Sequence, residues 1–293
     1  MSSTEPSLQL LVGADPELFL RNRFTQAFVS AHDLLPGTKD SPAKVPFGSI
    51  QVDGTAAEFN IDPVTNKADF LNSIAAVTNT LRRIVNMNNP DAILTVEPVA
   101  VYDRKYFMDL PFDVKRLGCE PDFNAWTSKV NPTPKTAKPI RTAGGHIHLG
   151  WQEKGQGVTD LHFGDCVRVV RQLDSTLYVM SHFWDNNQER RELYGKMGAF
   201  RPKEYGVEYR PLSNAWLTDP DIQGYVYDTA VSATEAILTG TAFFEHEEFT
   251  ELYEKFRKKQ AWTSQELLNY HAFLVDHGMP VLPEEYLDAI NAY

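Results

Sequence analysis

Cysteine is nearly absent: only Cys119 and Cys166 occur in 293 residues, and neither belongs to a Cys-x-x-Cys pair. A disulfide framework and a thiolate zinc site are both excluded by that count. No run of 18 apolar residues occurs, so no membrane span is expected. The start, MSSTEPSLQLLVGADPE, lacks the basic n-region and apolar h-region of a signal peptide, so a cytoplasmic protein is expected. Basic residues are in deficit, 28 Lys and Arg against 39 Asp and Glu, for a net charge of −11. Bulk nucleic-acid binding, which needs clustered cations, is therefore not expected, although a local arginine cluster still suits a small anion. Also missing are the GxxxxGK[ST] loop and a GxGxxG turn after a strand, so a nucleotide would not be held in either of those ways. Apolar residues make up 42% and charged residues 23%, the proportions of an ordinary globular chain.

What is present centres on RTAGGHIHLGW, residues 141–151. His146 and His148 alternate with apolar residues and so project from one face of a strand. Gly144 and Gly145 before them suit a backbone that something must approach closely. A metal or phosphate site explains this pattern, and so does a pair of satisfied core histidines.

Three further segments carry polar pairs at strand spacing. LQLLVGADPELFL, from Leu8, reads as a strand with Asp15 and Glu17 on one face and Leu18 and Leu20 on the other. Pro16 has no N–H to give, which predicts an edge or the end of a pairing there, with an Asp-Pro turn as the alternative. SIQVDGTAAEFNIDP reads as a hairpin or bent strand around Asp53-Gly54, with Glu58 and Asn60 sharing a face. Asp53 lies an odd number of residues from Glu58. Either Gly54 re-aims it, or only one of the two carboxylates reaches a common site. VEYRPL, 207–212, places Glu208 and Arg210 on one face, opposite Val207 and Tyr209.

Helical spacing marks 66–88, capped by Asn66. It also marks about 159–182, with Leu161, Val167, Val170, Leu173, Leu177 and Met180 as the apolar stripe. Residues 220–293 read as helices, one opened by the capping box Thr263/Glu266. ILTVEPVAVY, 93–102, reads as a buried strand, residues 1–7 as a disordered tail, and 31–48 as a loop. Residues 103–140 read as an irregular segment in which Asp122 and Asn124 are candidate ligand contacts or turn formers. The loop at 31–48 and the segment 119–140 are candidate lids. With no repeat and no linker, one mixed α+β domain over 1–293 is the simplest reading. Cations concentrate in ERRELYGKMGAFRPKEYG: Arg190, Arg191, Lys196, Arg201 and Lys203. A solvated helix face accounts for Arg190 and Lys196, but less easily for Arg201.

Carboxylates with one imidazole suit hard divalent cations such as Mg²⁺ or Mn²⁺. Two or three such ions would relieve the repulsion among so many acids on one face. Arginine forks suit phosphate oxygens. The combination points to nucleotide-dependent chemistry.

The order of these segments resembles the glutamine synthetase and γ-glutamylcysteine synthetase superfamily. More closely, GADPELF, DGTAAEFN, GCEPDFNAW, RTAGGHIHLG and RRELYGKMGAFRPKEYGVEYRPLSNAW resemble the carboxylate–amine ligase type 2 family carried by tailed bacteriophages. The resemblance runs from about Gly13 to Trp216 and leaves out the C-terminal helices. It implies a curved, mostly antiparallel half-barrel sheet flanked by helices. It also implies an ATP-dependent ligase that joins a small-molecule or peptide carboxylate to an amine through an acyl phosphate, releasing ADP and phosphate. Glu17, Asp53 and Glu58 would then ligate one metal, and Asp15, His146 and Glu208 the metal that bridges the nucleotide phosphates. His148 and Lys196 would contact the nucleotide, and Arg210 the transferred phosphoryl group. Arg191 and Arg201 would meet phosphate or substrate, and Arg141, Asp122 and Asn124 the substrate. Asp122 and Glu204 are the candidates for the base that deprotonates the amine. The chain departs from the larger relatives in Asp-Pro-Glu where Glu-x-Glu is frequent, and in a spacing of only five between Asp53 and Glu58. A kinase on the same sheet, a metallohydrolase and a non-catalytic nucleotide- or metal-binding module are the competing readings. Oligomeric state is left open.

Overall fold

A computed structural model describes residues 10–115, 122–132, 138–151 and 157–291. The expected 1–7 tail and Cys119 lie outside these residues, as do parts of the 119–140 segment. The fold is α+β: a large, open, mostly antiparallel sheet flanked by helices, with further helices at the C-terminal end.

Strand β1 (Leu11–Asn22) is followed by β2 (Phe28–Val29), β3 (Ala43–Val45), β4 (Gly48–Asp53) and β5 (Ala56–Ile61). Helix α1 (Lys67–Asn88) leads to β6 (Ala92–Thr95), β7 (Val99–Val101), α2 (Arg104–Asp109) and α3 (Phe112–Lys115). Next come β8 (Phe123–Asn124), β9 (Lys129–Val130), β10 (Ile140–Thr142) and β11 (Gly145–Gly150). Helices α4 (Asp160–Leu173) and α5 (Gln188–Leu193) precede β12 (Ala199–Lys203) and β13 (Gly206–Tyr209). Helices α6 (Pro220–Leu238), α7 (Glu247–Arg257), α8 (Ser264–Asp276) and α9 (Glu284–Asn291) complete the chain. The sheet order is β3-β4-β5-β1-β11-β13-β12-β8-β9, with β2 and β6 pairing with the far half of β1. Strands β7 and β10 form a small sheet of their own.

Alternation divides the large sheet by chemistry. One face presents Val12, Ala14, Leu18 and Leu20 of β1, Ile147 and Leu149 of β11, and Val207 and Tyr209 of β13 to the main core. The apolar faces of α1, α4 and α6 close over it, and α1 contributes Phe70, Ile74, Val77, Leu81 and Val85. The opposite face receives every second residue, which puts the acidic, imidazole and guanidinium groups together. A smaller apolar cluster of Phe19, Phe28, Ala56, Ala100, Tyr102, Phe107 and Ala143 forms apart from the main core.

β1 is a strand through Asp15-Pro16-Glu17, not a turn, and it lies inside the sheet, not at its edge. The proline does mark the end of a pairing. The ladder with β11 ends at Pro16↔Gly145, and that with β5 takes over at Glu17↔Glu58 and Leu18↔Ala57. Residues 93–102 do not form one buried strand. Glu97 and Pro98 split them into β6, on β1, and β7, on β10, and Glu97 turns out to pair with Arg21 at 2.5 Å. The helix expected over 159–182 starts as read, with Thr159 as its cap, but its stripe is modified. Leu161 is 78% exposed in the first turn, while His162 and Cys166 face the core beside it. A π-helical turn at Asp174–Tyr178 shifts the buried face and turns Asp174, Ser175 and Thr176 inward. Asn66 and the Thr263/Glu266 capping box hold as read.

Asp174 is fully buried, and its carboxyl accepts bonds from the Trp126 indole N–H at 2.7 Å and the Tyr209 hydroxyl at 2.9 Å. Burial pushes its pKa up to about 7, although these two donors oppose the shift. A carboxyl that binds its proton more tightly when folded contributes stability that is complete below about pH 4 and lost as pH rises through its folded pKa. Urea denaturation should therefore give a stability that falls between pH 5 and pH 8. Asp174→Asn should make that slope shallower.

Candidate active site

The polar face gathers side chains from six strands. On β1, Asp15 and Glu17 point to it; on β11, His146 and His148; on β13, Glu208, with Arg210 just beyond the strand; on β12, Arg201 and Lys203. Asp53 and Glu58 arrive by the route the sequence left open. Gly54, at φ +57°, belongs to a two-residue hairpin turn between β4 and β5. Asp53 and Glu58 thus sit on different strands, paired with Ala56 and Gln51 respectively, and share one face.

Two sub-clusters result. In the first, Asp15 Oδ1 lies 3.2 Å from His146 Nδ1 and 3.1 Å from His148 Nε2. Burial would raise the Asp15 pKa, but His148 and His146 outweigh it and hold it well below the usual carboxylate range. His146 is lowered by burial and by Arg210; burial also acts on His148, but Asp15 prevails and raises it. Glu208 is 1% exposed and surrounded by cations. Its Oε1 meets Arg210 Nη1 and, at 3.2 Å, Arg201 Nη1; its Oε2 meets Lys203 Nζ at 2.8 Å. Desolvation opposes its charge, yet Arg210 and the two histidines bring its pKa down to about 2. Arg210 also donates from Nε to Asp122 Oδ2 at 3.2 Å.

The second sub-cluster is Glu17, Asp53 and Glu58. Glu17 Oε2 accepts from the Gly144 N–H at 2.9 Å, and Glu58 Oε2 from the Gln51 amide at 2.7 Å. Burial and then the Asp53 charge push Glu17 up to about 7, despite the Gly144 bond and the Arg210 and Arg190 charges. Burial and the charges of Asp15, Asp53 and Glu17 push Glu58 well above its ordinary value. These acids repel one another.

The donor set suits a divalent cation. Among the described residues, Asp15, His146 and Glu208 each bring one ligand atom within 4.8 Å of the others. Asp15 Oδ1, His146 Nδ1 and His148 Nε2 are buried and face one another without hydrogen-bond geometry, as lone pairs converging on a cation do. Glu17, Asp53 and Glu58 are electrically coupled but are not a set that converges this tightly.

His148, read as a nucleotide contact, belongs to the first sub-cluster, with its Nδ1 2.5 Å from the Tyr205 hydroxyl and its Nε2 on Asp15. Other sequence candidates fall elsewhere. Arg191 turns into the core, donating to Ser181 Oγ and the Asp185 carbonyl and stacking on Tyr178. Arg141 lies in the small sheet over the Phe107 ring and donates to the Lys115 carbonyl. Asn124 is the turn former: its side chain accepts from Trp126 N–H and Thr127 N–H. Lys196 is half-buried just before β12, and Glu204 is exposed in the β12–β13 turn.

Three residues at the face were given no role from the sequence. Lys203 stood in the cationic run, two residues from Arg201 and on the same face. Tyr205 was hidden in a turn. Arg190, for which a solvated helix face was an equally good account, is 1% exposed. The Gly144-Gly145 entrance is explained by the chain itself. A Cβ on Gly145 would collide with the Ser213 carbonyl and the Trp216 indole, and one on Gly144 with the His146 ring. Trp216 also donates to the Gly145 carbonyl at 3.0 Å.

This half of the face lies within a segment that matches a family model. The matching family is described as phage phiEco32-like COOH.NH2 ligase-type 2, and its model covers residues 137–265. Its name indicates a carboxylate–amine ligase, and the match supports assigning the chain to the family that the motif order resembles. The matched segment holds His146, His148, Arg201, Glu208 and Arg210 but not β1, β4 or β5. It also runs past Trp216 through α6 and α7, which the motif resemblance left out. No curated protein matches the chain. Among the described residues, no helix is long and apolar enough to cross a membrane.

Above about pH 7, Glu17 loses its proton beside Asp53 and Glu58, and an added cation relieves the resulting repulsion. Scanning fluorimetry should show MgCl₂ or MnCl₂ raising the melting temperature more at pH 8 than at pH 6, with a smaller difference in Glu17→Gln. Gly145→Ala should cost about 1–3 kcal/mol in urea denaturation, because backbone on the far side of the contact has little room to give.

Proposed function

We propose that the protein is an ATP-dependent carboxylate–amine ligase that forms an amide through an acyl phosphate, with its active site on the polar face of the sheet. The observation that carries this reading is Glu208, a buried carboxylate that is both a member of the converging Asp15/His146/Glu208 set and the meeting point of Arg201, Lys203 and Arg210. Anions and cations so placed suit a substrate that is itself a metal–phosphate complex.

Mg²⁺ or Mn²⁺ held by Asp15, His146 and Glu208 would draw charge from the nucleotide phosphate oxygens. Glu17, Asp53 and Glu58 are the side chains placed to hold a further ion. When the nucleotide binds, Arg201, Lys203 and Arg210 exchange Glu208 for phosphate oxygens, and Arg210 follows the γ-phosphoryl group. The substrate carboxylate attacks that phosphorus, the bond to the β-phosphate oxygen breaks, and ADP leaves. The guanidinium offsets the charge spread over the transferring oxygens. The amine nitrogen then attacks the acyl carbon, phosphate departs with the bonding pair, and the amine gives up one proton. Asp122 positions Arg210 from behind through its bond to Nε. The apolar core behind the sheet keeps the face rigid.

ADP release over a panel of carboxylates and amines, with mass spectrometry of the product, tests this. The expected result is turnover that needs both an acid and an amine, and a product lighter than the two together by one water. A stable phosphorylated product without amine would instead make the protein a kinase, and hydrolysis without ATP a metallohydrolase. Arg210→Met should lower kcat by about 10²–10³-fold. Arg210→Lys should recover only part of it, because one ammonium cannot replace the planar fork.

A further inference from the structure

Among the described residues Arg190 is the largest charged side chain sealed from solvent, and all three of its guanidinium nitrogens are committed to backbone. Nε donates to the Ala143 carbonyl at 2.7 Å, Nη1 to Pro211 at 2.6 Å and Nη2 to Leu212 at 2.6 Å. Burial lowers its pKa to about 10, and the charges of Asp185 and Glu17 oppose that fall. Helix α5 delivers it from a fixed position: the Asn187 side chain caps the Arg190 N–H at 2.9 Å. Gly195 leaves room for Nη1, where a Cβ would collide.

The three carbonyls lie at the two places where the site is assembled. Ala143 precedes Gly144, whose N–H donates to Glu17 Oε2 at 2.9 Å and whose carbonyl accepts the Glu17 N–H at 2.9 Å. Pro211 and Leu212 directly follow Arg210. The Leu212 carbonyl also accepts the Gly145 N–H at 3.0 Å, so Arg190 and β11 share that oxygen. One planar fork thus spans the entry to the histidine strand and the exit from the Glu208–Arg210 strand. It fixes the separation between the acidic sub-cluster and the phosphoryl-binding arginine.

We propose that Arg190 is a positioning residue of the active site, holding the Gly144 amide on Glu17 and Arg210 beside Glu208 in a single geometry. The role rests on the ligase reading for its purpose but not for its detection. Its three diverging bonds need a guanidinium, since an ammonium has its donors on one atom. The test compares wild type with Arg190→Lys, Arg190→Met and Gly195→Ala, the last of which displaces Nη1 without removing the charge.

Hydrogen–deuterium exchange is followed by mass spectrometry on metal-free protein, at a temperature where the far-UV circular dichroism spectra coincide. Peptides covering 142–146 and 209–214 are expected to exchange on the order of tenfold faster in the variants, with α1 and α8 unchanged. Mn²⁺ titration is expected to give a Kd weaker by about tenfold or more. Unchanged exchange, a uniform acceleration along the whole chain, or full restoration by Arg190→Lys would each overturn the proposal. If Arg190→Met does not fold, Gly195→Ala and Arg190→Lys decide. Failure of the wild type to bind Mn²⁺ would count against the metal site of the ligase reading, and the exchange pattern alone would then decide the role of Arg190.

Discussion

Charge that is buried must be answered nearby, and the polar face of this sheet is built around that requirement. Asp15, Glu17, Glu58 and Glu208 share a region too dry to solvate them separately. An isolated carboxylate placed there would cost several kcal/mol and would hold its proton instead. Two solutions coexist. Glu208 and Asp15 are ionised because arginines, Lys203 and the histidines surround them. Glu17 and Glu58 lack enough such partners and shift upward. The site is therefore polarised along the sheet, with one region already neutralised by the chain and the other still short of positive charge. On the function proposed above, a substrate that carries both cations and anions would complete both.

The main core makes this possible by occupying only one side. Ile147 and Leu149 fix which way His146 and His148 face, just as Val207 and Tyr209 fix Glu208, because a slip of one residue would exchange the two faces. Tyr209 is itself tied to Asp174 on the π-helical turn. The position of β13 thus depends on a local irregularity in a helix behind it.

Period-two alternation was legible in the sequence, and with it the sharing of a face by Asp15 and Glu17, by His146 and His148, and by Glu208 and Arg210. Helix caps such as Asn66 and Thr263 were legible because their chemistry is local. The hairpin that brings Asp53 alongside Glu58 could be posed but not resolved, since Gly54 permits both a turn and a bulge. What could not be read was any relation formed by tertiary contact alone. Arg190 and Arg191 are neighbours in a cationic run, yet one clamps carbonyls beside the ends of two strands and the other stacks on Tyr178 in the core. Neither fate leaves a periodic trace. Leu161 fails for a related reason: in the first helical turn, an apolar residue is not obliged to face the core. The break at Glu97-Pro98 was visible as a proline but not as a change of sheet.

The glycine pair before the histidines has a further consequence for how such sequences are compared. Gly145 is demanded by Trp216 and the Ser213 carbonyl pressing on β11, whereas Gly144 is demanded by the His146 ring. A descendant that lost the histidines but kept its fold would still need Gly145 and would release Gly144. The second glycine is thus a record of architecture, while the first belongs with the histidines. Drift at Gly144 and His146 with Gly145 intact would mark a chain that has kept the scaffold and given up the imidazole.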